Sequence, residues 1–204
     1  EMKESNTYYA QGGIAVALDP SDNPEGHLQD TLIAGAGLCD EDAVRMLVTE
    51  GTTRVRELIA WNAPFDRKDG RISFTLEGGH SHHRIIHAEG DATGRVVENC
   101  MLERLRGQPN ISVLENHFAV DLLHRDGVCY GVIVLDVKGG KFLKIEAKAT
   151  VLATGGLGLL YRESTNPEVA TGDGMAIAFR AGAVLQDMEF VQFHPTTLYL
   201  AGAK

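Results

Sequence analysis

The sequence is short of most features that mark a nucleic-acid binder, a membrane protein or a disulfide-stapled domain. Basic residues are in deficit, 19 Lys+Arg against 28 Asp+Glu, for a formal charge of −9. Neutralising the phosphates of a nucleic acid requires the opposite balance. No apolar run approaches the ~18 residues of a membrane-spanning helix. The opening EMKESNTYYA also lacks the charged-then-apolar pattern of a secretory signal. Both absences favour a soluble, cytoplasmic protein with no membrane span. Cysteine is limited to Cys39, Cys100 and Cys129, far apart and never as C-x-x-C, a pattern of reduced structural thiols. The dinucleotide fingerprint G-x-G-x-x-G is missing, as are internal repeats and low-complexity tracts.

What is present suits one sizeable α/β domain, since 44% of the 204 residues are hydrophobic. IAVAL at 14–18 reads as a short strand, and residues 27–36 as a helix ended by Gly37. Asp40, followed by Glu41 and Asp42, starts a second helix. Its apolar stripe runs through Val44, Leu47, Val48, Val55, Leu58 and Ile59, with a break expected near Gly51. A third helix is predicted over 94–106, begun by Asp91 or Thr93 and stopped at Gly107. ISVLE, AVDLLHR, VCYGVIVLDV and KFLKIEAKATVLAT then alternate with turns at Arg125-Asp126-Gly127 and Gly139-Gly140. These runs predict an antiparallel meander feeding a last buried strand. A fourth helix is expected over 172–183. The chain opens and closes on loop-like residues, so both ends read as cut.

Three glycine-rich stretches expose bare backbone. VLATGG puts an apolar strand directly before Gly155-Gly156, where a nucleotide could lie against the peptide. An ordinary strand-end turn has the same look. Gly172-Asp173-Gly174 opens the fourth helix, whose first amides and dipole suit a pyrophosphate or ribose hydroxyls. Gln11-Gly12-Gly13 follows Ser5 and Thr7, whose hydroxyls can bond a phosphate or a ring edge. A different cluster, HSHHRIIH, crowds His80, His82, His83 and His87 around Arg84. It reads as anion handling in an acidic chain; a zinc site is the alternative that histidine density alone would allow, although no cysteine or H-E-x-x-H pattern supports it.

SNTYYAQGGIA, VLATGG, TGDGMAIAFRAG and EFVQFHPT, in that order, resemble the flavoprotein family of succinate dehydrogenase, fumarate reductase and L-aspartate oxidase. The resemblance covers nearly the whole chain. It implies an FAD-binding, doubly wound (Rossmann-like) sheet with an antiparallel β-meander, over residues 1–187 and incomplete at its N-terminus. The first strand and fingerprint would lie upstream of Glu1. Residues 188–204 would begin a capping, substrate-binding domain. In this reading Ser5, Asn6, Thr7, Gln11, Gly12 and Gly13 border the flavin ring. Ala119 and Val120 meet the adenine through their backbone. Ala153, Thr154, Gly155, Gly172 and Asp173 hold the middle of the cofactor.

Two positions choose a branch within that family. Respiratory members carry a flavin-linked histidine where this chain has Asn6, and an amide nitrogen is no comparable nucleophile, so FAD is expected to be noncovalent. Dehydrogenases of the family have phenylalanine where this chain has Glu77, in EGGHS. A carboxylate there gains nothing from succinate but pairs with the α-ammonium of aspartate. The resemblance thus implies an FAD-dependent amino-acid oxidoreductase that oxidises L-aspartate to iminoaspartate. Oxygen or fumarate would be the acceptor, and the product would enter NAD biosynthesis, with quinolinate synthase as a possible downstream partner. A soluble fumarate reductase or succinate dehydrogenase subunit is the alternative. Glu77, Gln192 and His194 are the candidate contacts to the dicarboxylate substrate. The catalytic arginine, a threonine–glutamate pair and a second histidine are expected beyond Lys204, so residues 1–204 alone are expected to be inactive.

Overall fold

The computed structural model describes residues 3–193, which fall into two compact units: Thr7–Ser112, the helical unit, and residues 3–6 with 113–193, the meander unit.

In the helical unit a two-residue strand β1 (Ile14–Ala15) leads to helix α1 (Pro24–Ala34). Asn23 caps α1 by accepting from the Gly26 amide at 2.9 Å, and Pro24 fits the first turn, where no amide partner is needed. The helix therefore starts a turn earlier than its apolar pattern predicts. Helix α2 (Glu41–Ala60) begins as expected, with Asp40 accepting from the Ala43 amide at 3.0 Å. The predicted break at Gly51 does not occur. A helical glycine costs roughly 0.5–1 kcal/mol relative to alanine, less than the burial of Val48 and Val55 on either side of it returns.

Next come a small hairpin of β2 (Arg67–Lys68) and β3 (Arg71–Ile72), then β4 (Ile85–Ile86) and helix α3 (Thr93–Arg106). The hairpin turns through Asp69 and Gly70, both at positive φ. β4 pairs antiparallel with β1, Ile14 opposite Ile86. Neither Asp91 nor Thr93 caps α3. Ala92 holds the cap position without a side-chain bond, because the Thr93 hydroxyl accepts from the Ala88 amide at 3.1 Å instead. Val16, Val55, Phe65, Ile86 and Val96 close the core between these elements.

The meander unit contains β5 (His117–Arg125), β6 (Val128–Asp136) and β7 (Lys141–Glu146), paired antiparallel in that order. Its turns fall where the sequence put them. Asp126 and Gly127 both take positive φ, and the Asp136 carboxylate accepts from the Gly139 amide at 2.8 Å. That hydrogen bond holds the Asp136 carboxyl below its usual range. Helix α4 (Asp173–Arg180) is shorter than predicted; Gly172 stands before it at φ 76° and Gly182 after it at φ 91°.

Two predicted strands do not form. ISVLE joins no ladder, and Ile111 and Leu114 are about half exposed. VLAT runs without a strand partner, leaving Val151 87% exposed. An apolar run becomes a strand only by bonding to a neighbour, and the described residues bring none alongside. All sheets among the described residues are antiparallel, so the parallel ladder of a doubly wound sheet is not found there. No helix among them is long and apolar enough to cross a membrane.

Candidate cofactor and substrate site

Thr7 to Gly13, in the helical unit, is pinned to the first turn of α3. The Gly94 amide donates to Ala10 O at 3.0 Å, and a Cβ on Gly94 would overlap the Thr7 carbonyl. Gly94 is thus a packing requirement that sequence reading passed over. Gly12 has open space where a side chain would stand, whereas Gly13 packs on β4, so that a Cβ would come within 2.7 Å of His87 Nε2. Gln11 is exposed.

The meander unit assembles the other glycine motifs around α4. Gly172 donates to Gly156 O at 3.1 Å, and a Cβ on Gly174 would overlap the Thr154 hydroxyl. The ATGG segment and the helix N-terminus therefore meet with no room for a side chain. Gly155 sits at φ 72°, with the Asn6 amide nitrogen 3.4 Å from where its Cβ would be. Thr171 Oγ1 donates to the Asp173 carboxylate. Ser5 lies beside Asn6 in the same unit.

At its other end α4 reaches β5. Arg180 donates through Nη2 to Val120 O at 2.8 Å and through Nε to Asp121 Oδ2 at 3.2 Å. The β5–β6 register slips between Ala119 and Asp121, leaving Val120 without a cross-strand partner. Such a bulge frees backbone from the ladder, at the residues expected to meet adenine.

Glu77 belongs to the helical unit. Its Oε1 stands 3.1 Å from His87 Nε2, and His87 Nδ1 faces Thr75 Oγ1 at 3.5 Å. The Glu77 side chain is 52% exposed and that of His87 20%. The turn is tightened by the His80 amide donating to Glu77 O at 3.3 Å and by Gly79 at φ 83°. Gln192, in the meander unit, is exposed; His194 lies outside the described residues.

Arg84 is not an anion ligand, contrary to its reading in the histidine cluster. It is fully buried and donates to Asp22 Oδ1 and Oδ2 at 2.9 and 2.8 Å and to Asp30 Oδ2 at 2.7 Å. A buried guanidinium is tolerable only when carboxylates pair with it, and at 0% exposure it is out of a ligand's reach. Burial works to raise the Asp30 pKa, but hydrogen bonds from Ser81 and the Arg84 charge outweigh it and hold that carboxyl low. Ser81 ties the histidine loop to α1 through Asp30. His82 Nδ1 faces the Ser81 hydroxyl at 2.9 Å, and His80 packs beside His27 with ring centroids 5.7 Å apart. Among the described residues no three His, Cys, Asp or Glu side chains are grouped to hold a metal ion, and all three cysteines are free thiols.

The residues fit a flat, anionic cofactor. In the helical unit a Cβ on Gly12 would meet no atom within 4 Å; in the meander unit the same holds for Gly156, and the first turn of α4 offers amides that have no partner within the helix.

Comparison with known proteins agrees with that chemistry. The FAD binding domain family matches residues 1–203. The chloroplastic L-aspartate oxidase of Arabidopsis thaliana is 54% identical over 203 residues, covering 97% of this chain and 31% of that protein. The L-aspartate oxidase of Streptomyces coelicolor is 49% identical over 204 residues, covering 98% and 35% respectively. Among solved structures, E. coli quinol fumarate reductase superposes with a TM-score of 0.92 at 37% identity, over 97% of this chain and 34% of that one. The α/β fold with its antiparallel meander is thus shared with that reductase. This chain spans about a third of the length of these relatives.

Proposed function

The chain belongs to the FAD binding domain family, and from that premise we propose that it serves the oxidation of L-aspartate to iminoaspartate. The observation that carries this reading is Glu77, a carboxylate in EGGHS in a chain 54% identical to a plant L-aspartate oxidase. A second negative dianion-facing charge would repel succinate, whereas an α-ammonium is attracted. FAD, when bound, takes up the electron pair and hydrogen leaving Cα.

The chain's own residues position and discriminate. Thr7, Gln11, Gly12 and Gly13 in the helical unit, with Ser5 and Asn6 in the meander unit, would border the flavin. Ala119, Val120, Ala153, Thr154, Gly155, Gly172 and Asp173 would hold the rest of FAD. Asn6 offers no nucleophile, so the cofactor would be held noncovalently. Glu77 would orient the substrate ammonium, and Gln192 and His194 would take a carboxylate. Holding the substrate at both points aims Cα and lowers the barrier by several kcal/mol on the order known for intramolecular positioning. Oxygen or fumarate would be the acceptor, and iminoaspartate would pass toward quinolinate synthase and NAD. Residues 1–187 would form the FAD-binding domain and 188–204 open a capping domain. A cytoplasmic location fits the chain's net charge of −9; the plant relative is named chloroplastic.

The likeness to quinol fumarate reductase favours a second reading, a fumarate reductase or succinate dehydrogenase subunit. Glu77→Gln in the full-length protein separates the two. An aspartate oxidase loses at least tenfold in kcat/KM for aspartate, the size expected when a charge-assisted hydrogen bond is lost. Bleaching of the flavin by succinate and not by aspartate would overturn the first reading.

A further inference from the structure

We propose that His87 is a positioning residue for substrate recognition: it fixes the rotamer of Glu77 and leaves one carboxylate oxygen free for the α-ammonium of an amino-acid dicarboxylate. The inference rests on the reading of Glu77 given above and adds to it the residue through which that carboxylate is held.

The geometry is local to one unit. Glu77 Oε1 lies 3.1 Å from His87 Nε2, so an imidazole carrying its proton on Nε2 faces one oxygen while the other remains an acceptor. Glu77 is half exposed, and an exposed glutamate otherwise samples several rotamers whose ordering weakens binding. His87 is itself held on several sides. Its carbonyl accepts from the Asp66 amide at 2.8 Å, and its Nδ1 faces Thr75 Oγ1. Thr75 in turn exchanges both backbone hydrogen bonds with Ile85, at 2.9 and 3.1 Å, beside the buried Ile85–Ile86 strand. The backbone of Gly13 closes against the same ring nitrogen, where a Cβ would come to 2.7 Å. One imidazole therefore lies where the AQGG loop, the Thr75 bridge and the EGGHS turn meet, the first more than sixty residues from the other two. Glycine at 13 is what gives the ring room to reach Glu77. The histidine's place ten residues after Glu77 makes this a link that no motif in the sequence announces.

The experiment compares His87→Ala, His87→Gln and Glu77→Gln in the full-length, FAD-loaded protein. Affinity for L-aspartate and for succinate, which lacks the amine, is read from the perturbation of the flavin absorbance, together with steady-state kcat and KM. His87→Ala is expected to raise the aspartate KM roughly tenfold, as for one hydrogen bond to a charged group. Its kcat should hold within about twofold, as for loss of binding common to ground and transition states, and succinate affinity should not change. His87→Gln, which keeps an N–H donor, restores most of the loss. The double variant His87→Ala/Glu77→Gln is no worse than Glu77→Gln alone, because both changes remove one coupled contact. Equal weakening of aspartate and succinate overturns the inference, since it marks a general structural role. An effect of Glu77→Gln with none of His87→Ala also overturns it while sparing the amino-acid reading. No effect of Glu77→Gln on aspartate overturns that reading itself. If His87→Ala fails to fold, His87→Leu, which fills the ring's volume without a donor, is measured in its place against the same outcomes.

Discussion

The helical unit and the meander unit are built by different forces, and candidate residues for cofactor and substrate occur in both. Between Thr7 and Ser112 the chain buries Val16, Leu28, Val55, Phe65, Ile86 and Ala88 to 6% exposure or less, and even buries a charged triad. In the meander unit the buried apolar side chains are few, with Val134, Ala170 and Ile177 the principal ones among the described residues. Order there comes from the β5–β6–β7 ladders and from α4, whose two ends are tied to the ATGG segment and to the β5 bulge. Glu77, proposed to read the substrate, thus stands on a well-packed scaffold, which would suit a residue that discriminates by position. Nine of the thirteen residues proposed for the cofactor, among them Gly155, Gly172 and Asp173, lie in the less densely buried meander unit.

The sharpest test of that contrast is Arg84→Ala. It removes a guanidinium that two carboxylates share at 0% exposure and leaves Asp22 and Asp30 buried without their partner. Breaking a buried pair in this way costs about 3–5 kcal/mol. Urea unfolding should show a loss of that size, and amide exchange should show lost protection across residues 7–112 with residues 113–193 little changed. Lost protection spread evenly over both units would break the comparison.

A smaller effect follows from acid. The His27 pKa is lowered from 6.5, first by burial and then by the charge of Arg84 and by His80, against the opposing pull of Asp22 and Asp30. Asp30 is likewise lowered from 3.8. Both folded-state values lie below the unfolded ones. The stability each contributes is therefore complete above its unfolded value and lost as pH falls through the folded one. The helical unit should weaken just below pH 6.5 through His27 and again below pH 3.8 through Asp30. Urea midpoints at successive pH values measure this, and His27→Leu should remove the first step while keeping the second.

The sequence disclosed the elements whose signals are local. Asp40 as a cap, Gly107 as a helix stop and Asp126-Gly127 as a hairpin turn were legible because each acts within four residues. The same Asp-Gly signal at 69–70 was missed, since the charged flanks Arg67, Lys68 and Arg71 give no alternating pattern. Arg84 was misread because its partners lie 62 and 54 residues away, a distance at which nothing in the pattern distinguishes a buried triad from a free cation. VLAT was read as a buried strand because apolar side chains report what a segment prefers, not whether a neighbour is there to bond it. The glycines were legible as a class, yet only the structure separates Gly13, Gly94 and Gly174, which are needed for packing, from Gly12 and Gly156, which stand open.

The smallest effect expected is that of Arg180→Ala, and it probes the other half of the comparison. Arg180 sits in the last turn of α4, where its charge complements the helix dipole. It reaches Asp121 and the Val120 carbonyl with its side chain 49% exposed. Solvent screens such a pair and can replace the lost donor at the bulge, so the loss of stability should stay under about 1 kcal/mol. Arg84, buried between two carboxylates, and Arg180, half exposed beside one, thus differ in both burial and number of charged partners, and both differences point the same way. If adenine meets the backbone at Ala119 and Val120, releasing the Val120 carbonyl loosens that strand where the ligand touches it. FAD affinity should then fall severalfold in titrations of the full-length protein while the urea midpoint hardly moves. An unfolding loss as large as that of Arg84→Ala would mean that α4 is held chiefly through this one side chain, and that the ladders and the glycine contacts at 172–174 do not set the order of the meander unit.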